Sequence, residues 1–215
     1  MDLILAEKPS AARNFAKALG GKTGNYAGTE YKITNLRGHV MGLLPPDKQV
    51  PTEKVEFYKS WDLENLPWNL NDFAWKKGIL SGCKDIISGL KDELKEADCV
   101  VIATDVDPSG EGELLAWEAL EKCGWRGPTK RMYFADEAPA SVQKAFRERK
   151  TLPSMDKDGD YVKAVVRERW DLASMQFTRA ATLVARKKGF RTVVRQGRLK
   201  SVMVKLTGDQ LKAYN

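Results

Sequence analysis

Residues 99–123 constrain the fold more than any other part of the chain. They run from the apolar stretch CVVIA through the acidic loop TDVDPSGEG into the helical pattern ELLAWEALEKC. Short continuous apolar runs are typical of strands that are buried on both faces of a parallel sheet. Gly124 follows the helical pattern as a stop signal. The stretch therefore predicts a strand, a loop and a helix in succession.

The same alternation extends over the first 150 residues. LILAE predicts a strand, and AARNFAKALG predicts a helix that Ser10 caps and Gly20-Gly21 ends. Further strands are predicted at 31–36 and 131–135, further helices at 79–96 and 140–149, and a long irregular excursion at 43–75. Strands that alternate with helices predict an α/β domain with a mainly parallel sheet over residues 1–150.

A polar link, TLPSMDKDGD, leads into a second segment of different composition. The chain as a whole has a net charge of +7, and from Thr151 onward it holds 14 basic and 6 acidic residues. Residues 172–208 contain no acid. The long amphipathic pattern at 161–186 and this charge predict a mostly helical, basic domain over 151–215. Nucleic acid is the favoured partner, and a solvated basic face is the alternative.

Composition also argues against several classes of protein. The chain holds no apolar stretch long enough to span a membrane, and its start reaches Glu7 and Lys8 too early for a signal peptide. Three separated cysteines and one histidine argue against a zinc site or a disulfide framework. We therefore expect no membrane partner and a reduced, cytoplasmic location.

Carboxylates follow the buried strand closely. Asp105 and Asp107 come just past its end, where parallel sheets bind ligands, and Glu111 and Glu113 follow. Mg²⁺ prefers such oxygen ligands and would relieve the repulsion between them. The alternative is that these acids only favour the dipole of the next helix.

Other polar and aromatic residues have two interpretations each. Glu7 ends the first strand and could act as a general acid or base, or only favour a helix start; Lys8 could contact a phosphate or be solvated. His39 could donate to a phosphate or be structural. Stacking on bases or packing in a core are the alternatives for the aromatic residues of the excursion: Tyr58, Trp61, Trp68 and Trp75.

Four segments in this order resemble the type IA DNA topoisomerases, and the AEKPS start is most similar to the topoisomerase III branch. They are AEKPSAARNFAKALG, NLRGHVMGLLPP, ATDVDPSGEGELLAWEAL and RWDLASMQFTRA. The resemblance covers nearly the whole chain. It implies a Toprim domain over 1–150, followed by the start of a helical base domain. It also implies an isomerase that cuts, passes and reseals single-stranded DNA with Mg²⁺ as cofactor.

The resemblance implies roles for the residues that match its motifs. Glu7 matches a glutamate that handles the proton at the scissile phosphodiester, and Lys8 matches a phosphate-contacting lysine. His39 matches the histidine of the family's GHL or GHV motif near the active site. The acids that bind Mg²⁺ match Asp105, Asp107 and Glu111.

DNA contacts are implied for the second segment. The family's groove-lining helix matches Arg169, Asp171, Thr178 and Arg179, and a GRVQTP motif that meets DNA resembles the sequence from Gly197-Arg198. The basic residues near that motif are further candidates for DNA contact: Arg195, Arg198 and Lys200.

The sequence departs from the family pattern in three places. DVDPSGEGE replaces the usual DxDREGE, so Glu113 becomes an alternative to Glu111 as the third acid. GRLKSV replaces GRVQTP, with Lys200 at the glutamine position. The family's nucleophilic tyrosine lies on a separate downstream domain, and Tyr214 is too close to the GRLKSV motif to match it.

Three functions are consistent with these observations. The first is the N-terminal metal-binding part of a type IA topoisomerase, which joins the remaining domains of the same polypeptide. These 215 residues alone are then expected to bind DNA without relaxing it. The second is a stand-alone Toprim nuclease that uses a metal-activated water. The third is a non-catalytic module that binds single-stranded DNA.

Overall fold

A six-stranded sheet forms the framework of the computed structural model, which describes residues Met1–Tyr214. Its strands are β1 (Asp2–Ala6), β2 (Thr23–Tyr26), β3 (Thr29–Asn35), β6 (Cys99–Ala103), β7 (Thr129–Arg131) and β8 (Lys150–Thr151), in the order β2-β3-β1-β6-β7-β8. The four central strands run parallel and the two outer pairings are antiparallel. β4 (Met41–Leu43) and β5 (Lys77–Ile79) form a separate two-stranded sheet. The predicted α/β class with a mainly parallel sheet is confirmed.

Seven α-helices connect and follow these strands in the part of the chain that the structure describes. They are α1 (Pro9–Leu19), α2 (Val55–Lys59), α3 (Lys84–Leu94), α4 (Glu111–Cys123), α5 (Pro139–Arg147), α6 (Gly159–Lys187) and α7 (Arg198–Tyr214). Short 3₁₀ turns lie at Pro46–Lys48, Thr52–Lys54, Leu70–Asp72 and Met155–Lys157. The predicted excursion at 43–75 is thus mostly irregular, with brief helical turns.

Side chains of the two central strands, β1 and β6, point alternately to the two faces of the sheet, and this divides the core between those faces. Leu3 and Leu5 belong to one apolar cluster and Ile4 to the other, and all three are fully buried. β6 alternates in the same way, because successive side chains of a strand point to opposite faces. The first cluster includes residues of α3 and α4, and the second includes residues of α1 and α5. Each face of the sheet is therefore covered.

Three local predictions differ from the structure. Lys8, not Ser10, is the N-cap of α1, because Pro9 occupies the first helical position, where its missing N–H costs nothing. The helix predicted at 79–96 begins only at Lys84, since Ile79 belongs to β5, which pairs with β4. β7 ends at Arg131 instead of residue 135. Gly20 does end α1, in the left-handed conformation with φ of 98°.

The chain divides into two compact units. The first comprises Met1–Gly42 and Gly78–Val166, and the second comprises Leu43–Lys77 and Arg167–Asn215. The sheet and its covering helices belong to the first unit. These units do not coincide with the predicted domains 1–150 and 151–215, because residues 43–77 group with the second unit. A domain boundary after residue 150 stays a prediction.

The second unit has an apolar cluster of its own. Its buried members are Val50, Tyr58, Trp68, Phe73 and Leu172. By contrast, α7 holds no buried residue, and Leu199 and Val204 are more than 70% exposed. Among residues 1–214, the helices do not have the length and apolar character needed to span a membrane.

The first turn of α4 approaches the end of β6 so closely that only glycine fits. A Cβ at Gly112 would lie 2.1 Å from the carbonyl oxygen of Asp105 and 2.9 Å from the hydroxyl of Thr104. That hydroxyl donates a hydrogen bond to the carbonyl of Gly112 at 2.9 Å. Helix and strand end are thus held together at the point where the acidic loop leaves the sheet.

Replacing Gly112 with alanine should lower the free energy of unfolding by roughly 3 kcal/mol, because backbone atoms must move to admit the methyl group. Gly89→Ala in α3 is the control, since a Cβ there meets no atom within 4 Å. That change should be neutral or stabilise by about 0.5–1 kcal/mol. Urea denaturation followed by circular dichroism measures both. Equal effects of the two substitutions would contradict the close approach.

Candidate active site

Parallel pairing brings the ends of β1, β3 and β6 to one edge of the sheet. Ala6 is paired with Asn35 on one side and with Ala103 on the other. Glu7 follows β1 directly, and its carboxylate Oε2 accepts a hydrogen bond from the backbone N–H of Asp105 at 3.2 Å. The backbone N–H of Gly38 donates to the carbonyl of Glu7 at 2.9 Å. Three separate parts of the sequence therefore meet around Glu7.

A cleft of about 290 Å³ opens at this edge. Five of the side chains predicted to form the site line it, together with two glycines and one leucine. The lining residues are Glu7, Gly38, His39, Asp105, Asp107, Glu111, Gly112 and Leu115.

Two half-exposed polar contacts, of which the first is an ion pair, hold side chains of this cleft. The Lys8 ammonium lies 3.2 Å from Oδ2 of Asp105, and His39 Nε2 lies 2.6 Å from Oε1 of Glu111. The hydrogen bond to Asp105 raises the pKa of Lys8, so this lysine stays charged at neutral pH. Because exposed pairs of this kind contribute only about 0–1 kcal/mol, they can be exchanged for contacts with a ligand.

Ser109 and Gly110 shape the acidic loop. The backbone N–H of Ser109 donates to Oδ1 of Asp107 at 2.7 Å, and its hydroxyl contacts the same oxygen. Gly110 then takes the left-handed conformation with φ of 74° and precedes the first residue of α4, Glu111. A Cβ at Gly110 would lie 2.2 Å from the carbonyl oxygen of Asp160, so this turn also requires glycine.

Glu111 and Glu113 lie in different surroundings. Glu111 lines the cleft, whereas Glu113 is only 3% exposed and pairs with the buried Arg131 at 2.7 Å. These surroundings favour Glu111 over Glu113 as the third acid, and that assignment stays a prediction.

Carboxylate oxygens are the ligands that a hard cation such as Mg²⁺ prefers, and Asp105, Asp107 and Glu111 line one cleft. Among residues 1–214, however, the acids, histidine and cysteines form no group of three that could hold a metal ion as it stands. Mg²⁺ usually keeps several waters and takes only one or two carboxylates from the protein, so this looser arrangement suits it.

Arg179, predicted to contact DNA, is a buried structural residue instead. It is 7% exposed, and its Nη1 donates to the backbone carbonyls of Tyr58 at 2.5 Å and Ser60 at 3.0 Å. Its guanidinium lies 4.7 Å from the ring centre of Trp68. Nη1 thus holds the segment that contains residues 58–68, whereas the buried Nε makes no hydrogen bond among the described residues.

The other predicted DNA contacts lie at the surface or in local hydrogen bonds. Arg198 Nε is 2.5 Å from Oδ1 of Asp171, and this exposed pair joins α7 to α6. The Thr178 hydroxyl accepts from the backbone N–H of Gln196 at 3.0 Å. The guanidinium of Arg169 lies 5.1 Å from the ring centre of Trp75. The remaining two candidates, Arg195 and Lys200, are exposed.

The aromatic residues of the excursion divide between core and surface. Tyr58 is 1% exposed and Trp68 is 5% exposed, so both pack in the core of the second unit. Trp61 is 41% exposed, and the guanidinium of Arg186 lies 5.7 Å from its ring centre. Of these residues, Trp61 is therefore the strongest candidate for stacking on a base.

A larger cavity of about 430 Å³ lies elsewhere in the first unit. Trp117, Trp125, Leu152 and Met155 are among its lining residues. It lies beside the start of β7, whereas the acidic cleft lies where β1 and β6 end. Cavity volume alone would therefore favour this second cavity. The carboxylates at the strand ends are what single out the smaller cleft as the candidate site.

Sequence reasoning missed two residues that support the site. Ser109 holds Asp107, and the DPSG pattern with its turn-forming residues was the available signal. Arg131 pairs with Glu113 and contacts the end of β6. Its position in a strand gave no sign of this role, because the partners lie 18 and 27 residues earlier in the chain.

Comparison with known proteins identifies the family of the chain. The profile of the Toprim domain matches residues 2–136, which is more than half of the chain. The chain therefore belongs to the Toprim family. It is also similar to proteins named DNA topoisomerase 3: 30% identical over 184 residues to that of Bacillus subtilis, and 30% over 151 residues to that of Staphylococcus epidermidis. The predicted resemblance to the type IA topoisomerases is thus confirmed for the Toprim region.

The chain spans only a small part of these relatives. The matches cover 84% of the chain but 24% of the Bacillus subtilis protein, and 69% of the chain but 20% of the Staphylococcus epidermidis protein. Among solved structures, full-length topoisomerase I from Thermotoga maritima aligns with 69% of the chain and 21% of its own, at a TM-score of 0.49 and 23% identity.

Substituting Arg179 with methionine should lower the free energy of unfolding by about 1–3 kcal/mol, because buried carbonyls lose their donors. Tryptophan fluorescence should change as well, since the guanidinium lies over Trp68. Arg195→Met is the exposed control and should leave both unchanged. Unchanged stability of Arg179→Met together with weaker DNA binding would overturn the structural assignment.

Proposed function

We propose that this chain is the N-terminal metal-binding part of a type IA DNA topoisomerase, which cuts, passes and reseals single-stranded DNA. The observation that carries the proposal is the cleft at the carboxyl edge of the sheet. It combines Glu7 with the acids of the DVDPSGEGE loop, while Lys8 contacts one of those acids. Membership of the Toprim family and similarity to proteins named DNA topoisomerase 3 support it.

Glu7 is the proposed general acid and base. Its carboxylate accepts the N–H of Asp105 through Oε2, which orients it toward the cleft. In this position it can give a proton to, or take one from, the oxygen that leaves or attacks at the scissile phosphodiester. Lys8 contacts the phosphate as a point charge once it exchanges its pairing with Asp105.

Asp105, Asp107 and Glu111 would hold Mg²⁺. When bound, this ion supplies charge stabilisation to the phosphate oxygens. His39 orients Glu111 through their 2.6 Å contact, and Ser109 orients Asp107. The protein groups thus limit the directions in which the carboxylates can turn.

The second unit is proposed to bind the single strand. Its basic residues supply the salt-dependent attraction to phosphates, and exposed Trp61 beside Arg186 offers a stacking surface. Arg169, Arg195, Arg198 and Lys200 remain proposed DNA contacts. Asp171 positions Arg198, and Thr178 holds the backbone of Gln196, which follows Arg195. Arg179 is left out of this set.

A cytoplasmic location is part of the proposal. Cys83, Cys99 and Cys123 are free thiols, as a reducing compartment would keep them.

Mg²⁺ titration tests the acidic cleft. Mg²⁺ should shift the backbone amide signals of Asp105 and Asp107 in ¹H–¹⁵N spectra. The double substitution Asp105→Asn and Asp107→Asn should lower the Mg²⁺ affinity by more than about tenfold, because losing ligand supports alone costs that much. Asp92→Asn is the control, since Asp92 is exposed on α3 and pairs with Lys95. Equal Mg²⁺ affinity in all three proteins would exclude the proposed ligands.

Single-strand binding should depend strongly on salt. We expect the logarithm of the binding constant to fall linearly with that of the salt concentration. Replacing Arg195 and Lys200 with methionine should reduce this slope by about 0.7 for each phosphate contact removed. Lys122→Met, at the end of α4 in the first unit, should not change it. Fluorescence anisotropy of a labelled oligonucleotide measures the effect, and an unchanged slope in the double variant would exclude these contacts.

Plasmid assays separate the topoisomerase from its alternatives. The 215 residues alone should not relax supercoiled plasmid, whereas the product of the whole gene that encodes them should, with a protein–DNA adduct. Plasmid nicking by the 215 residues that needs Mg²⁺, leaves no adduct and is lost in Asp105→Ala would favour a nuclease. Single-strand binding without any Mg²⁺ response, and unaffected by Glu7→Ala, would favour a binding module.

A further inference from the structure

Arg131 is a fully buried charged residue that does not line the cleft. It is the last residue of β7, its side chain is 0% exposed, and Glu113 lies 2.7 Å from its Nε. A buried pair of this kind is weak evidence for stability, because apolar residues of similar size often stabilise a protein more. Stability alone therefore does not explain why an arginine occupies this position, and its other contacts indicate what it does.

Nη1 contacts the backbone carbonyls of Ile102 at 3.4 Å and Met132 at 3.0 Å, and two further contacts go to carbonyls past the end of β6. Nη1 donates to the carbonyl of Thr104 at 2.7 Å, and Nη2 donates to the carbonyl of Asp105 at 3.1 Å. The paired registers of β6 stop earlier, at Ile102 with β7 and at Ala103 with β1. Arg131 therefore continues the hydrogen bonding of the sheet across two residues that lie past its last paired position.

The two carbonyls belong to the residues that set the geometry of the cleft. The backbone N–H of Asp105 donates a hydrogen bond to Glu7, and its carboxylate accepts one from the Lys8 ammonium. Thr104 binds the carbonyl of Gly112 in the first turn of α4, and Glu113 follows in the same turn. The guanidinium thus connects β7, the end of β6 and the start of α4.

We propose that Arg131, held by Glu113, is a positioning residue for the acidic cleft. Arg131 keeps the backbone of Thr104 and Asp105 in place. The position of that backbone in turn fixes the distance between the carboxylates of Glu7 and Asp105. Its functional meaning rests on the proposed function, in which these two groups act on one phosphodiester. The positioning itself can be measured without metal or DNA.

Arg131→Lys tests it against a matched control, Arg149→Lys. Arg149 is also a mostly buried arginine paired with an acid, Asp2, but that acid lies at the opposite end of β1. Lysine keeps the charge in both variants and cannot reach several carbonyls at once. Circular dichroism first establishes that both variants fold.

Amide hydrogen exchange is the first measurement. In Arg131→Lys, exchange at the Asp105 amide should be about five- to tenfold faster than in the unsubstituted protein, relative to the Val101 amide in the same strand. Arg149→Lys should leave that ratio unchanged. No local change in Arg131→Lys overturns the positioning role, whether or not Mg²⁺ binds.

Mg²⁺ titration is the second measurement. Arg131→Lys should lower the Mg²⁺ affinity by about tenfold and Arg149→Lys should not, since supports of metal ligands have effects of that size. Faster local exchange with an unchanged Mg²⁺ affinity would show that the positioning does not reach the metal ligands, and this part of the proposal would fall. If the unsubstituted chain itself binds no Mg²⁺, the proposed metal function fails while the exchange result still decides the positioning.

Glu113→Gln covers the case in which Arg131→Lys does not fold. Glutamine loses the charge that holds Arg131, so exchange at the Asp105 amide should again become faster. The factor should be smaller than in Arg131→Lys, because the amide oxygen of glutamine can still accept from Nε. An Asp105 amide that exchanges as in the unsubstituted protein would overturn the proposal.

Discussion

The parallel pairing of β1 with β3 and β6 is the constraint on which the site depends. It aligns Ala6 with Asn35 and Ala103, so the residues that follow each strand reach the same edge. A slip of one residue in either pairing would turn the buried side chains to the wrong face, and the two apolar clusters of the sheet prevent it. The burial that stabilises the sheet therefore also places Glu7 beside Asp105.

Exposed and buried polar pairs serve this edge differently. The pairs of Lys8 with Asp105 and of His39 with Glu111 are half-exposed, so water competes for them and a ligand can replace them. The pair of Arg131 with Glu113 is buried, and removing one partner would leave a charge without compensation. The exposed pairs are therefore suited to exchange during binding, and the buried pair is suited to hold the backbone still.

The second unit shows how a basic composition can mislead about individual residues. Arg179 belongs to the acid-free stretch that suggests a polyanion partner, yet burial lowers its pKa and its Nη1 donates to two backbone carbonyls. Arg186 follows two turns later on the same face of α6. The guanidiniums of Arg179 and Arg186 lie 5.5 Å and 5.7 Å from the centre of the same Trp61 ring, but Arg186 is exposed. Depth of burial therefore separates two arginines of one helix face, and the net charge of a segment does not describe each of its side chains.

The sequence alone determined the class of the fold, its alternation of strands and helices, and the residues that lie at strand ends. These follow from local patterns: apolar runs, glycine stops and the spacing of acids after a strand. Tertiary structure decided the rest. It separated Glu111 from Glu113, buried Arg179, and gave Arg131 partners 18 and 27 residues away. Such pairings depend on which elements pack together. Buried carbonyls and charges need hydrogen-bond partners, and these partners come from elements that are distant in the sequence, so no local stretch of the chain predicts them.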